Sequence, residues 1–202
     1  MKLVVMTQPT FFVEEDKIIA SLFDEGLDAL HLFMPGSSPM YSERLLTLLA
    51  DDICSKITVH DNFYLKEEYK LRGIHIDDAT TPAPRGYRGH ISRTCTQLED
   101  LKEAKKNADY VFLKYIFNSQ TEIDKTASFT ETELNDAARR GLIDRHVYAL
   151  GGMNIDTVRI AKDLGFGGVV ISGDLWNRFN IHQELDYQEL IDNFKKLRKA
   201  IG

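Results

Sequence analysis

Short apolar runs alternate with helix-length amphipathic stretches along the whole chain. The runs Leu3–Met6, Ala29–Phe33, Ile57–His60, Gly73–Ile76, His90–Ser92, Tyr110–Leu113, Val147–Leu150 and Val169–Ser172 read as strands with apolar residues on both faces. Helical patterns cover Glu14–Asp24, Ser42–Asp51, Lys66–Leu71, Gln97–Lys106, Thr130–Arg139 and Ile155–Leu164, and Tyr187–Ala200 closes the chain. Strands buried on both faces and separated by helices form parallel sheets. Eight such units in 202 residues predict a closed (β/α)8 TIM barrel that fills residues 1–202 as one domain. An open sheet of about six or seven strands is the alternative, because Lys66–Leu71 is short and Pro82, Pro84 and Gly86 break Thr80–Arg88.

A barrel puts chemistry at the carboxyl ends of its strands. Those ends carry His31 and Phe33, His60 and Asp61, Asp77 and Asp78, Arg93 and Thr94, Lys114, Gly151 and Gly152, and Ser172 and Gly173. The last two groups follow strands 7 and 8, where this fold often binds phosphate. Glycine lets backbone approach a ligand closely, and exposed amides hold an anion. The stretch Val147–Trp176 therefore reads as a phosphate cradle, with turn chemistry alone as the bland reading. His31 and His75 lie within apolar strands and suit a hydrogen-bonded barrel interior as well as a ligand contact. Asp61 could hold magnesium through oxygen or cap a loop, and the same choice applies to Asp77 and Asp78. No set of side chains has fixed metal-ligand spacing, and no nucleophile elbow is present.

Composition narrows the classes. The formal net charge of -6 speaks against nucleic acid and offers no basic stripe to a membrane. No apolar run reaches spanning length, and the four-residue stretch near the start is too short for a signal peptide. Cys54 and Cys95 fit reduced thiols in a cytoplasmic protein. Association into a homodimer is left open.

The segments "LHLFMPG", "ITVHDNFYL", "GIHIDD", "HISRTC", "ADYVFLKYIFNSQT", "VYALGGM" and "GFGGVVISGDLW" resemble thiamine phosphate synthase and its relative, the thiazole tautomerase, over nearly the whole chain. That family has a (β/α)8 barrel. The synthase joins a hydroxymethylpyrimidine diphosphate to a thiazole phosphate, releasing pyrophosphate with magnesium. The resemblance implies that amides around Gly151, Gly152, Ile171, Ser172 and Gly173 hold the thiazole phosphate. It further implies that Asp61 is a magnesium ligand, that Ser119 and Thr121 offer hydroxyls after strand 6, and that Thr94 meets the pyrimidine. His31 stands where the synthase usually has glutamine, and His60 where it has asparagine.

The departures all concern charge. Where the synthase has an arginine and a lysine gripping the diphosphate, this chain reads Phe33-Met34-Pro35. The loop lysine is Glu122, the second magnesium aspartate falls at Thr80, and the tautomerase histidine is Thr96. A leaving pyrophosphate gains negative charge, and losing one stabilising donor costs about two to three orders of magnitude in rate. Arg93 and Lys114 are the candidate compensating cations. Three functions follow: a synthase with an altered site, a proton-transfer enzyme on a phosphorylated heterocycle using His31 or His60, or a non-catalytic binder of a phosphorylated thiamine precursor.

Overall fold

The structure is a computed structural model that describes residues 1–122, 124–179 and 187–202. In chain order the elements are β1 (Lys2–Met6), α1 (Glu15–Asp24), β2 (Ala29–Leu32), α2 (Pro39–Leu48), α3 (Asp51–Cys54), β3 (Ile57–Val59), α4 (Leu65–Glu68) and β4 (Gly73–Ile76). They continue with β5 (His90–Cys95), α5 (Leu101–Ala104), β6 (Tyr110–Lys114), α6 (Glu131–Arg139), β7 (Val147–Leu150), α7 (Thr157–Asp163), β8 (Gly168–Ile171), α8 (Gly173–Trp176) and α9 (Gln188–Ile201). Each strand pairs in parallel with the next, and β8 closes on β1. The closed barrel replaces the open-sheet alternative.

Strand alternation explains the core. One set of side chains, including Leu3, Val5, Leu30, Ile57, Ile74, Val111, Leu113, Val169 and Ile171, packs between the sheet and the helices. The other set points into the barrel, where successive residues on a strand take opposite sides. There Val4, Ala29, Tyr110, Phe112, Tyr148, Leu150 and Val170 form a second apolar cluster. The rest of the interior is polar: His31, Thr58, His60, His75, Ser92 and Thr94 are all buried. A barrel lumen split into an apolar and a polar side gives the site its shape.

Several boundaries differ from expectation for local reasons. The segment expected as one helix over Ser42–Asp51 breaks at Leu49, giving α2 and α3. Gln97–Lys106 shrinks to α5 followed by a 3-10 turn, and the helix at Lys66–Leu71 is the single turn α4. β5 extends past Ser92 to Cys95 because Arg93, Thr94 and Cys95 pair with Val111, Phe112 and Leu113 of β6, and Arg93 finds acceptors on backbone. Its guanidinium donates to the carbonyls of Asp78 at 3.3 Å, Thr81 at 2.7 Å and Asn107 at 3.4 Å. α6 starts as its sequence dictates, with Thr130 and Glu133 forming a reciprocal capping box. Cys54 and Cys95 are free and buried. Among the described residues no helix is long and apolar enough to cross a membrane.

Candidate active site

A cavity of about 530 Å³ opens at the carboxyl end of the barrel. On one side it meets Gly151, Gly152, Met153, Ser172 and Gly173. The turn after β7 needs glycine, since Gly151 and Gly152 have φ of 103° and 66°. Its carbonyls are taken: Phe117 N–H donates to Gly151 O at 3.1 Å, and the Thr157 hydroxyl donates to Gly152 O at 3.0 Å. Among the described residues, the amides of Gly152, Ser172 and Gly173 donate to no protein acceptor. Unpaired N–H groups beside a cavity are suited to an anion.

The opposite side carries a hydrogen-bonded chain. Asp77 Oδ1 lies 3.1 Å from His60 Nδ1, His60 Nε2 lies 2.8 Å from His31 Nδ1, and His31 Nε2 lies 2.6 Å from the Tyr110 hydroxyl. A carboxylate can only accept, so with neutral imidazoles the polarity is fixed. Tyr110 donates to His31, His31 donates to His60, and His60 donates to Asp77. Burial, helped by the electrostatic influence of nearby His60, Arg72 and His90, holds His31 well below the ordinary histidine value. Burial likewise keeps His75 neutral, assisted by His60, His31, Arg93 and Lys114. His75 bonds Ser92 Oγ and Thr94 Oγ1, each at 2.8 Å. Burial raises the Tyr110 phenol, so it stays protonated and able to donate.

The residues expected at the site separate clearly. Gly151, Gly152, Ser172, Gly173, His60, Thr94, Ser119, Thr121 and Lys114 all line the cavity. Ser119 Oγ also accepts the Thr121 and Glu122 amides, at 3.3 and 3.0 Å, so this hydroxyl shapes its own loop. The other expected residues have side chains that do not reach the cavity. The Ile171 side chain packs in the sheet–helix core, because β8 alternation turns it away from the lumen, so only its backbone could serve the cradle. His31 is fully buried one step behind His60 and does not reach the cavity. Arg93 faces out of the barrel onto the β4–β5 loop carbonyls, so it supplies no cation to the site. Asp61 is exposed and does not line the cavity.

Lys114 does point inward. Among the described cavity residues it is the only lysine or arginine, and Glu122 Oε1 holds its Nζ at 3.2 Å. The Tyr115 hydroxyl donates to the same carboxylate at 3.0 Å, and Lys114 Nζ sits 4.5 Å from the Tyr115 ring centroid. Phe33 and Pro35 form apolar wall, whereas Met34 is buried in the core. Sequence reasoning underrated Asp77 and missed Tyr115 and Tyr110. The period-2 placement of polar residues in "ALHL", "GIHID" and "HISRT" was the available signal for an occupied polar lumen.

The magnesium implied by the resemblance does not fit these residues. A hard cation needs several convergent oxygens. Asp61 lies outside the cavity, Asp77 Oδ1 is engaged by imidazoles, and Asp78 Oδ1 accepts the amides of Thr80 and Thr81. The one gathered set of three ligand-type side chains among the described residues is His31, His60 and His75. Each ring nitrogen of the three is already hydrogen-bonded within the protein, which leaves none free for an ion.

A substitution separates cradle from scaffold. A Cβ on Gly152 would meet Asn118 O at 2.5 Å and Phe117 Cβ at 2.7 Å, at a φ that disfavours side chains. Gly152→Val should therefore displace the 117–118 strap, lowering stability by about 2–4 kcal/mol and abolishing phosphate-ligand binding. At Gly36, φ is also positive but nothing lies within 4 Å of the added Cβ, so Gly36→Ala should cost only about 1 kcal/mol and spare binding. Thermal unfolding and ligand titration of both variants check this, and equal behaviour would contradict it.

The chain is similar to proteins described as thiamine phosphate synthases or pyrophosphorylases. Residues 43–175 match the family model described as thiamine monophosphate synthase. A curated thiamine-phosphate synthase of Flavobacterium johnsoniae is 23% identical over 186 residues, covering 85% of this chain and 87% of that protein. The crystal structure of a thiamine phosphate pyrophosphorylase from Bacteroides thetaiotaomicron has a TM-score of 0.89 and 47% identity, covering 99% of this chain and 97% of the other. One from Pyrococcus furiosus has a TM-score of 0.75 at 18% identity over 99% and 95% of the two chains, a likeness of fold.

Proposed function

The chain belongs to the thiamine monophosphate synthase family, and from that premise we propose that its cavity binds a phosphorylated thiazole. The observation that carries this reading is the pair of glycine turns whose Gly152, Ser172 and Gly173 amides have no protein acceptor among the described residues. Such a cradle needs no side-chain charge, so it tolerates the loss of the family's cations. The phosphate rests on those amides, and the thiazole ring lies toward Phe33, Met153 and Val170. Coupling to a pyrimidine diphosphate is poorly supported, because the cavity's lysine is already neutralised by Glu122.

Calorimetric titration with thiazole phosphate and with the pyrimidine diphosphate tests the reading. Thiazole phosphate should bind in the micromolar range without added magnesium, and the pyrimidine diphosphate should not. Absence of thiazole phosphate binding at millimolar concentration would overturn it.

The Asp77–His60–His31–Tyr110 chain favours a second reading, proton transfer on the same ligand. Histidine suits that work near neutral pH. His60 is the imidazole that meets the cavity, with Asp77 fixing its tautomer and His31 backing it. Solvent deuterium entering the bound thiazole phosphate, and failing to do so in His60→Gln, would establish that role.

A further inference from the structure

The lumen histidines have no ring nitrogen to spare. His31 and His60 join at 2.8 Å, His31 meets the Tyr110 hydroxyl at 2.6 Å, and His60 meets Asp77 at 3.1 Å. His75 is held between the Ser92 and Thr94 hydroxyls, each at 2.8 Å. Two ends of this network face the cavity, the Asp77 carboxylate and the Thr94 hydroxyl, whereas His31, His75, Ser92 and Tyr110 are buried behind the wall. The two arms also meet at their inner ends. Ser92 pairs with Tyr110 across the β5–β6 ladder, and its hydroxyl lies within hydrogen-bonding reach of the phenol oxygen. Tyr110 gives its one proton to His31, so at this junction the phenol accepts and Ser92 donates. Ser92 in turn accepts from His75 Nδ1–H, and His75 Nε2 accepts from Thr94. From Thr94 round to Asp77, every donor then points the same way.

Resting on the proton-transfer reading, we propose that these groups form one path through the barrel, which takes a proton from the bound ligand at Thr94 and returns one to it at Asp77. The ligand's bond to hydrogen breaks as its proton passes to the Thr94 oxygen. Each group hands its own proton to the next, and the last, from His60 Nδ1, arrives on the Asp77 carboxylate. Asp77 delivers that proton to a second ligand atom and is a carboxylate again. The ligand is isomerised, and the path has gained one proton and lost one. Each imidazole ends as its other tautomer without ever carrying charge. That condition matters here, because burial above all holds His31 and His75 well below the ordinary histidine value. A lumen that refuses imidazolium can still pass a proton by exchange of tautomers. Tyr110 touches no ligand and acts through His31, joining the two arms.

Two measurements test the path: nitrogen NMR of protein carrying isotope-labelled histidine, and deuterium uptake into bound thiazole phosphate by protein equilibrated in deuterium oxide. In the free wild type His31, His60 and His75 should all be neutral Nδ1–H tautomers. Tyr110→Phe keeps the ring and removes the hydroxyl, and Ser92→Ala cuts the neighbouring link. Each should slow deuterium uptake at least about ten-fold while thiazole phosphate affinity stays within about two-fold. If Tyr110→Phe does not fold, Ser92→Ala decides. His75 found as the Nε2–H tautomer, or uptake at the wild-type rate in either variant, would overturn the inference and leave proton transfer by His60 and Asp77 standing. Affinity and rate falling together would overturn it too, since that is what a merely structural role predicts. No uptake in the wild type would remove the proton-transfer reading and the inference with it, leaving the phosphate cradle untouched.

Discussion

Supplied with thiazole phosphate, the pyrimidine diphosphate and magnesium, the purified protein should form thiamine phosphate at least about a thousand-fold more slowly than an active synthase assayed beside it. The reason lies in what faces the leaving pyrophosphate. Phe33 and Pro35 present apolar surface, Asp77 faces the cavity with imidazoles as its partners, and Lys114 is tied to Glu122. An apolar wall cannot replace the water a diphosphate must shed, and carboxylates repel the charge that develops as it departs. Neither cation suggested as a rescue is free: Arg93 lies outside the lumen and Lys114 is paired. A synthase assay and a binding assay on one preparation test this, with Lys114→Ala as a control. Robust turnover that collapses in Lys114→Ala would mean that Lys114 leaves Glu122 for the substrate. Robust turnover indifferent to that change would refute the account of the loops.

Much of this architecture was legible because the barrel repeats one local rule. Each of the eight apolar runs was long enough to pair with its neighbours. What misled was the direction of individual side chains. Arg93 lies within β5 and Lys114 ends β6, and β5 alternation sends Arg93 outward while Lys114 stays inside. Ile171 sits beside Ser172 in sequence and on the opposite face of β8. Asp61 and Asp77 looked equivalent as carboxylates after strands, but the loop after β3 carries Asp61 into solvent while Asp77 stays close enough to be held by His60. A one-residue step reverses the face of a strand residue, so spacing identified the strand ends more reliably than the groups they present. The histidine chain was visible only as polar letters in apolar runs; that His31, His60 and Tyr110 meet depends on closure of the barrel.

Glu15 should make the protein lose stability as the solution becomes mildly alkaline. It occupies the first turn of α1, fully buried, with neither carboxyl oxygen in hydrogen-bonding geometry with any described group. Burial pushes its carboxyl up from 4.5 to about 8; the Phe12 amide lies close enough to oppose this a little, and Asp16 adds to it. The folded state therefore keeps a proton that the unfolded chain releases above pH 4.5, so the stabilising contribution is complete below that value and is lost as pH rises to about 8. The slope is about 1.4 kcal/mol per pH unit. His31 and His75 work in the opposite direction. Their depressed values cost stability only as pH falls below 6.5, where the unfolded imidazoles gain protons that the folded ones refuse. Urea unfolding between pH 6.5 and 8.5 thus isolates the glutamate. Over that window the wild type should lose on the order of 2 kcal/mol relative to Glu15→Gln, which is nearly isosteric and cannot ionise. The effect reaches the site as well, because the turn between β1 and α1 carries Thr7 and Pro9 in the cavity wall. A carboxylate forced into the start of α1, directly after that turn, should loosen the wall, so ligand affinity should weaken above pH 8 in the wild type and hold in Glu15→Gln. Parallel stability curves for the two proteins across the window would show that the Glu15 carboxyl finds a partner or water in solution.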